Sequence, residues 1–328
     1  MPKATLKEVS AEAGVSTALA SVVLNNKQGR IMASAETRER IKSVAKRLGY
    51  EPNRTARALR FSRSFLIGAI AYNIDTSFVP EILAGIESSC LNTSYNVIIA
   101  SCDNNEDFLM RLDNFRRHGI DGLVLIGYNP DLFGCNIQSL YRGKVAFIGF
   151  PSIYADYSSV CVSAEKIGKL AGESLLAHGR REIGYLRCIK DSGKMMGLLS
   201  AGVESTHCFK YESPNSFDQG VEVALEMLRS HPGITGVFAD SDVLGLAAMK
   251  AGSLLGKRVP EELSVIGTDD SPFCRYSTPE LSSVRQPRRE QGQIATKLLM
   301  ELIDGKPPQN IVLDCELIMR GSVSSFRV

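Results

Sequence analysis

Nowhere in this sequence do about 18 apolar residues follow one another, so no membrane-spanning helix is expected. The opening stretch MPKATLKEVSAEAG has no apolar core and no small-residue cleavage site, which argues against a secretory signal and for the cytoplasm. No C-x-x-C pair occurs among the eight cysteines, and the first 89 residues hold none. Scattered as Cys90, Cys102, Cys135, Cys161, Cys188, Cys208, Cys274 and Cys315, they read as reduced thiols rather than zinc ligands or disulfides. The four histidines, His118, His178, His207 and His231, fall into no ligand or catalytic spacing. A G-x-x-x-x-G-K-[ST] phosphate loop and a G-x-S-x-G nucleophile elbow are also absent. An enzyme is therefore not expected, and neither is a metal or a cofactor.

What is present is a charge asymmetry. Residues 1–63 hold 13 Lys and Arg against 5 Glu, a net +8, while the remainder holds 25 basic and 31 acidic residues, a net −6. A basic headpiece on an acidic body suggests a polyanion-binding module joined to something else. For 328 residues, two or three compact units are the starting expectation.

TLKEVSAEAG reads as a short helix, with Thr5 and Glu8 as a capping box and Gly14 as its stop. Ser16 caps a second helix running to about Asn25. A helix-turn-helix and a generic helical hairpin share this spacing. On a helical wheel Leu19, Ala20, Val23 and Leu24 form one side, and Thr17, Ala18, Ser21, Val22 and Asn25 the other. The second side has no Arg or Lys. Its methyl groups nevertheless suit a thymine methyl, and its hydroxyls suit phosphates or base edges. A third helix begins at Ser34 and carries the stripe Ile41, Val44, Ala45 and Leu48; the loop before it holds Lys27 and Arg30. In YEPNRTARALR, Pro52 and Asn53 are helix-start signals, Ala56 and Leu59 share a face, and Arg54, Arg57 and Arg60 recur every third residue. This is either a basic linker or a hinge helix that orders on DNA, with arginines on phosphates and Leu59 wedged at a base step.

From Phe65 the texture changes to apolar runs separated by helical segments: FLIGAIAY, YNVIIAS, GLVLIGY, KVAFIGF, SVCVS, EIGYL, GVFAD and LSVIGT. Such alternation predicts parallel sheets with helical crossovers. Two series of units fit two subdomains with a cleft between them, and ligands of such sheets bind at the carboxyl ends of the strands. Asp269–Asp270 is either a carboxylate pair for a metal or a ligand-binding and loop-capping feature.

In order, spacing and residue type, ATLKEVSAEAGVSTALASVVLNN, SAETRERIKSVAKRLGYEPNRTARALR and the following IGAI resemble the lactose/galactose repressor (LacI/GalR) family of transcription regulators. The likeness continues along the chain, less tightly between about 186 and 235. It implies a small all-α helix-turn-helix headpiece (1–51), a hinge helix and linker (52–64), and an α/β body (65–328) like a periplasmic sugar-binding protein. The body would hold two doubly wound parallel-sheet subdomains, about 65–163 with 287–318 and about 164–286 with 319–328. Also implied are a homodimer on pseudo-palindromic double-stranded operator DNA in the nucleoid, repression, and a small effector, a sugar or sugar derivative, in the cleft. A different effector, smaller or anionic, and a pocket that has lost its effector are the alternatives. A transport solute-binding protein shares the body but not the basic headpiece.

The DNA-facing set is then Thr5, Ser16, Thr17, Ala18, Ser21, Val22, Asn25, Asn53, Arg54, Ala56, Arg57 and Leu59. The family pattern V-S-x-x-T-V-S-R-V-L-N often has Arg where this chain has Val22. A bidentate guanine contact is lost there, and the preference should lean toward T. Cleft residues carry over one at a time. NIDTSFV matches a family segment at Asn73 and Phe78, and KMMGL places Lys194 where a forked Arg is usual. ADSD keeps Asp242, GTDD points to Asp269, and VRQP points to Gln286. Ser163 and Ala164 replace the family's more polar residues.

Overall fold

The structure is a computed structural model that describes residues 4–24, 33–50, 61–91, 93–127, 137, 141, 143–149, 156–188, 193–204, 208–212 and 215–324. Asn25, Lys27, Arg30, Asn53, Arg54, Ala56, Arg57 and Leu59 lie outside the described residues. The chain divides into two compact units, residues 1–64 and 65–328.

The first unit holds α1 (Leu6–Glu12), α2 (Thr17–Leu24) and α3 (Ala35–Arg47). The Thr5 hydroxyl accepts the Glu8 N–H at 3.3 Å, and the Glu8 carboxylate accepts the Thr5 N–H at 2.6 Å. The exit from α1 is equally well satisfied. Gly14 takes φ +62°, its N–H reaches the Ala11 carbonyl at 3.2 Å, and the Val15 N–H reaches Ser10 at 3.0 Å. That pair of bonds is a Schellman closure, and it needs the left-handed residue glycine tolerates. Ser16 Oγ then accepts the Leu19 N–H at 3.2 Å and starts α2. Val9, Ala13, Ala20, Val23, Ile41, Val44 and Ala45 close the core of the three helices.

The second unit begins β1 (Leu66–Tyr72), α4 (Val79–Cys90), β2 (Asn96–Cys102), α5 (Asn105–Arg117), β3 (Gly122–Ile126), β4 (Lys144–Ile148) and β5 (Ser158–Val162). It continues α6 (Ala164–Ala177), β6 (Ile183–Arg187), α7 (Lys194–Ser200), β7 (Cys208–Glu212), α8 (Phe217–Ser230), β8 (Gly236–Ala239), α9 (Asp242–Leu254) and β9 (Ser264–Asp269). It closes with α10 (Phe273–Tyr276), β10 (Ser282–Arg285), α11 (Arg288–Ile303), β11 (Asn310–Leu313) and β12 (Glu316–Ile318). Two six-stranded sheets result, in the orders β11-β5-β4-β3-β1-β2 and β12-β10-β9-β8-β6-β7. Every pairing is parallel except β10 with β12.

Parallel strands are covered on both faces, which is why they read as unbroken apolar runs. Ile67, Ala69 and Ala71 of β1 pack with Ile82 and Ile86 of α4 and Leu298 of α11. Ile70 faces the other way, with Phe108, Leu112 and Phe115 of α5. The second lobe repeats the scheme, with Val237 and Ala239 toward α8 and α9, and Phe238 toward α6 and α7.

One expected boundary is corrected. Ser283 of β10 pairs with Ile318, so residues 316–318 belong to the second lobe rather than the first. The chain turns just after β11, where the Asp314 carboxylate accepts the Cys315 N–H at 2.8 Å. No described helix is long and apolar enough to cross a membrane.

Candidate functional site

In the headpiece, Ala20 and Val23 are buried, and Leu19 and Leu24 pack half-buried on the same core. Thr17 and Ala18 are exposed, while Ser21 and Val22 are half-buried. The open part of α2 is therefore its first turn, the end that reaches base edges when such a helix enters a major groove. Thr5 and Ser16 are exposed but already hold caps.

In the body, the residues expected at an effector are carried by strand ends and the helix starts beside them. Asn73 follows β1 at φ +51°; its N–H bonds the Cys102 carbonyl at 2.9 Å, and its own carbonyl accepts the Thr76 hydroxyl at 2.7 Å. Phe78 directly precedes α4. Helix α4 lies against α11 at backbone distance, for a Cβ at Gly85 would meet the Arg289 carbonyl at 2.1 Å and one at Gly292 the Ile82 carbonyl at 2.1 Å. That approach sets the starts of the two helices side by side, Phe78 before one and Arg288 opening the other.

Lys194 opens α7, which packs on α6 through Gly168 and Gly197 in the same manner. Its ammonium is 3.1 Å from Asp240 Oδ1 and donates to the Asp240 carbonyl at 3.0 Å. Asp240 also accepts the Tyr185 hydroxyl at 2.7 Å and the Cys188 N–H at 2.9 Å. The cation is thus neutralised within its own lobe. Ser163 caps α6 by accepting the Lys166 N–H at 3.2 Å.

Asp242 departs from its expected role. It is 0% exposed, and its carboxylate accepts the Ser271 N–H at 2.6 Å and the Ser283 hydroxyl at 2.5 Å. Burial, and then the charge of Asp269, push its carboxyl up to about 7. It brackets the start of α9 to the loop after β9.

Asp269 and Asp270 take φ +106° and +55°, conformations that strain residues other than glycine. The twist turns their carboxylates apart. Asp270 accepts Arg285 Nε at 2.8 Å and pairs with Arg320. Asp269 accepts Gln286 Nε2 at 2.8 Å and pairs with Arg288. Arg288 lies with its Cζ 4.3 Å from the centre of the Phe78 ring and donates to Gln291 Oε1 at 3.1 Å.

Phe78, Asp269 and Gln286 are thus brought together, around a residue the sequence reading passed over. Lys194 stands apart with Asp240, also passed over, and Asn73 makes its backbone bonds in the turn after β1. The one signal for Asp240 in the sequence is the lysine in place of an arginine, whose partner is the first Asp of ADSD. Among the described residues no three His, Cys, Asp or Glu side chains converge as a metal site.

Comparison with known proteins finds two family matches. Residues 5–53 match bacterial regulatory proteins of the lacI family, and residues 172–323 a periplasmic binding protein-like domain. The HTH-type transcriptional repressor PurR of Erwinia tasmaniensis (strain DSM 17950 / CFBP 7177 / CIP 109463 / NCPPB 4357 / Et1/99) is 30% identical over 98% of this chain and 97% of its own. Among solved structures, a transcriptional regulator CelR–cellobiose complex is 27% identical with TM-score 0.72, covering 97% of this chain and 99% of that one. The lac repressor dimer bound to operator and the anti-inducer ONPF shares the fold at TM-score 0.81 and 24% identity, over 98% and 100% of the two chains.

Proposed function

Because the chain belongs to the lacI family of bacterial regulatory proteins, and is accordingly a DNA-binding transcriptional regulator and not an enzyme, we propose that it represses transcription as a homodimer on a pseudo-palindromic operator. The observation that carries this reading is the capped helix-turn-helix with Thr17 and Ala18 open on α2. In the proposed complex each α2 enters a major groove, where Thr17, Ala18, Ser21, Val22 and Asn25 meet bases and phosphates. Asn53, Arg54, Ala56, Arg57 and Leu59 join the body to the headpiece and supply minor-groove and phosphate contacts, hence much of the salt dependence. A small molecule, a sugar or sugar derivative, enters between the lobes of the body and shifts the operator-bound population. The cellobiose of the CelR complex supports that class.

The test is selection of operators from random duplex DNA by the full chain. A two-fold-symmetric site should emerge, with T rather than G at the half-site position that Val22 meets. Val22→Arg should move that position toward G. Enrichment of no symmetric sequence would remove the reading.

A further inference from the structure

Two residues expected to touch an effector, Phe78 and Asp269, meet one group, a third, Gln286, bonds the same Asp269 oxygen, and the group belongs to the chain itself. Arg288 is 8% exposed. One nitrogen of its guanidinium pairs with Asp269, whose same oxygen accepts Gln286 Nε2 at 2.8 Å. A second donates to Gln291 at 3.1 Å, and Phe78 lies against the group at 4.3 Å. Phe78 packs with the first lobe, whereas Asp269 ends a strand of the second. An aromatic face with a carboxylate at its edge is a complete recognition unit for a flat cation.

We propose that Arg288 is a built-in ligand of the cleft, held between Phe78 of the first lobe and Asp269 of the second and linking the two. The inference rests on the cleft being the effector site. A neutral polyol that displaced Arg288 would leave Asp269 buried without a counter-charge, and hydroxyl groups do not replace one. A flat cation bearing N–H donors, a guanidinium or amidinium group, makes the same contacts while Arg288 swings out into water. Asp269 therefore retains a guanidinium group, that of Arg288, and a sugar effector in the cleft binds with Arg288 in place.

Ethylguanidinium tests this on the full-length protein by chemical rescue. R288A should bind it saturably by calorimetry, with Kd at least about tenfold below any binding to the unsubstituted protein. The melting temperature of R288A should climb toward the unsubstituted value as the probe is added. The double variant R288A/D269N should neither bind nor respond. Equal binding to R288A and R288A/D269N, or no binding to R288A, overturns the proposal. If R288A does not fold alone, folding restored by the probe in R288A but not in R288A/D269N supports it, and a probe without effect on folding overturns it. Operator selection is read separately. Its failure beside a positive rescue removes the functional reading alone, and a negative rescue beside a selected operator removes only the role of Arg288.

Discussion

Asp242 is held in a setting that favours its neutral form, and this has a measurable consequence. Its carboxyl is raised to about 7 from an ordinary 3.8. Between those values the folded chain keeps a proton that the unfolded chain releases. The contribution of this group to stability is therefore greatest below about pH 4 and is lost as pH rises toward 7, by at most about 1.4 kcal/mol per unit. Asp242→Asn removes that dependence, so its melting temperature should gain on the unsubstituted chain between pH 5 and pH 8. A constant difference across that range would mean that the carboxyl is ionised throughout. Lys194 makes the opposite case. Lys194→Met strands Asp240 without a counter-charge among Tyr185, Cys188 and the strand end. Urea denaturation should show a loss of about 3–5 kcal/mol, most of it recovered by adding Asp240→Asn. Phe78, Asp269 and Gln286 were legible because each stands in a motif. Arg288 and Asp240 were not, because a charge at a helix start or strand end reads as solvated until the topology supplies its partner.

Among elements, the contact between α4 and α11 most directly sets where Phe78 and Arg288 meet. Gly85 and Gly292 let the two backbones touch, and a methyl group at either would overlap a carbonyl oxygen. Gly85→Ala or Gly292→Ala should cost about 1–3 kcal/mol in denaturant titration. Either should also separate Phe78 from Arg288, since each stands at the beginning of one of these helices. Most strands of the body could be read from the sequence because burial on both faces leaves an unbroken apolar run. β7, β11 and β12 lie at sheet edges and alternate or stay half-exposed, and β10, SSVR, has Val284 as its one apolar residue. No run marks them. The α2 wheel picks out the core side, but Ser21 and Val22 are half-buried as Leu19 and Leu24 are, which a wheel of one helix does not reveal.

At the scale of the whole molecule, the two units keep separate cores. The first has 64 residues and no cysteine, a size at which a three-helix core is marginal. Calorimetry of the full chain should resolve two transitions. Thr5→Ala, which removes the cap of α1, should lower only the earlier one, by about 1 kcal/mol, and Gly292→Ala only the later one. A single transition shifted by both changes would show the units melting together.

The route of the chain through the body bears on its synthesis. Sheet one receives β11 only after the chain has built most of sheet two, and sheet two receives β12 last. Arg180 is held by the carbonyl of Ser324 at 3.0 Å, and the Val265 N–H by that of Ser322 at 2.9 Å. On a ribosome both lobes stay unfinished until residues 310–324 have been made. A message broken off between the codons for residues 288 and 313 therefore leaves a finished headpiece on two unfinished lobes, a target for proteolysis rather than a regulator that has merely lost its sensor.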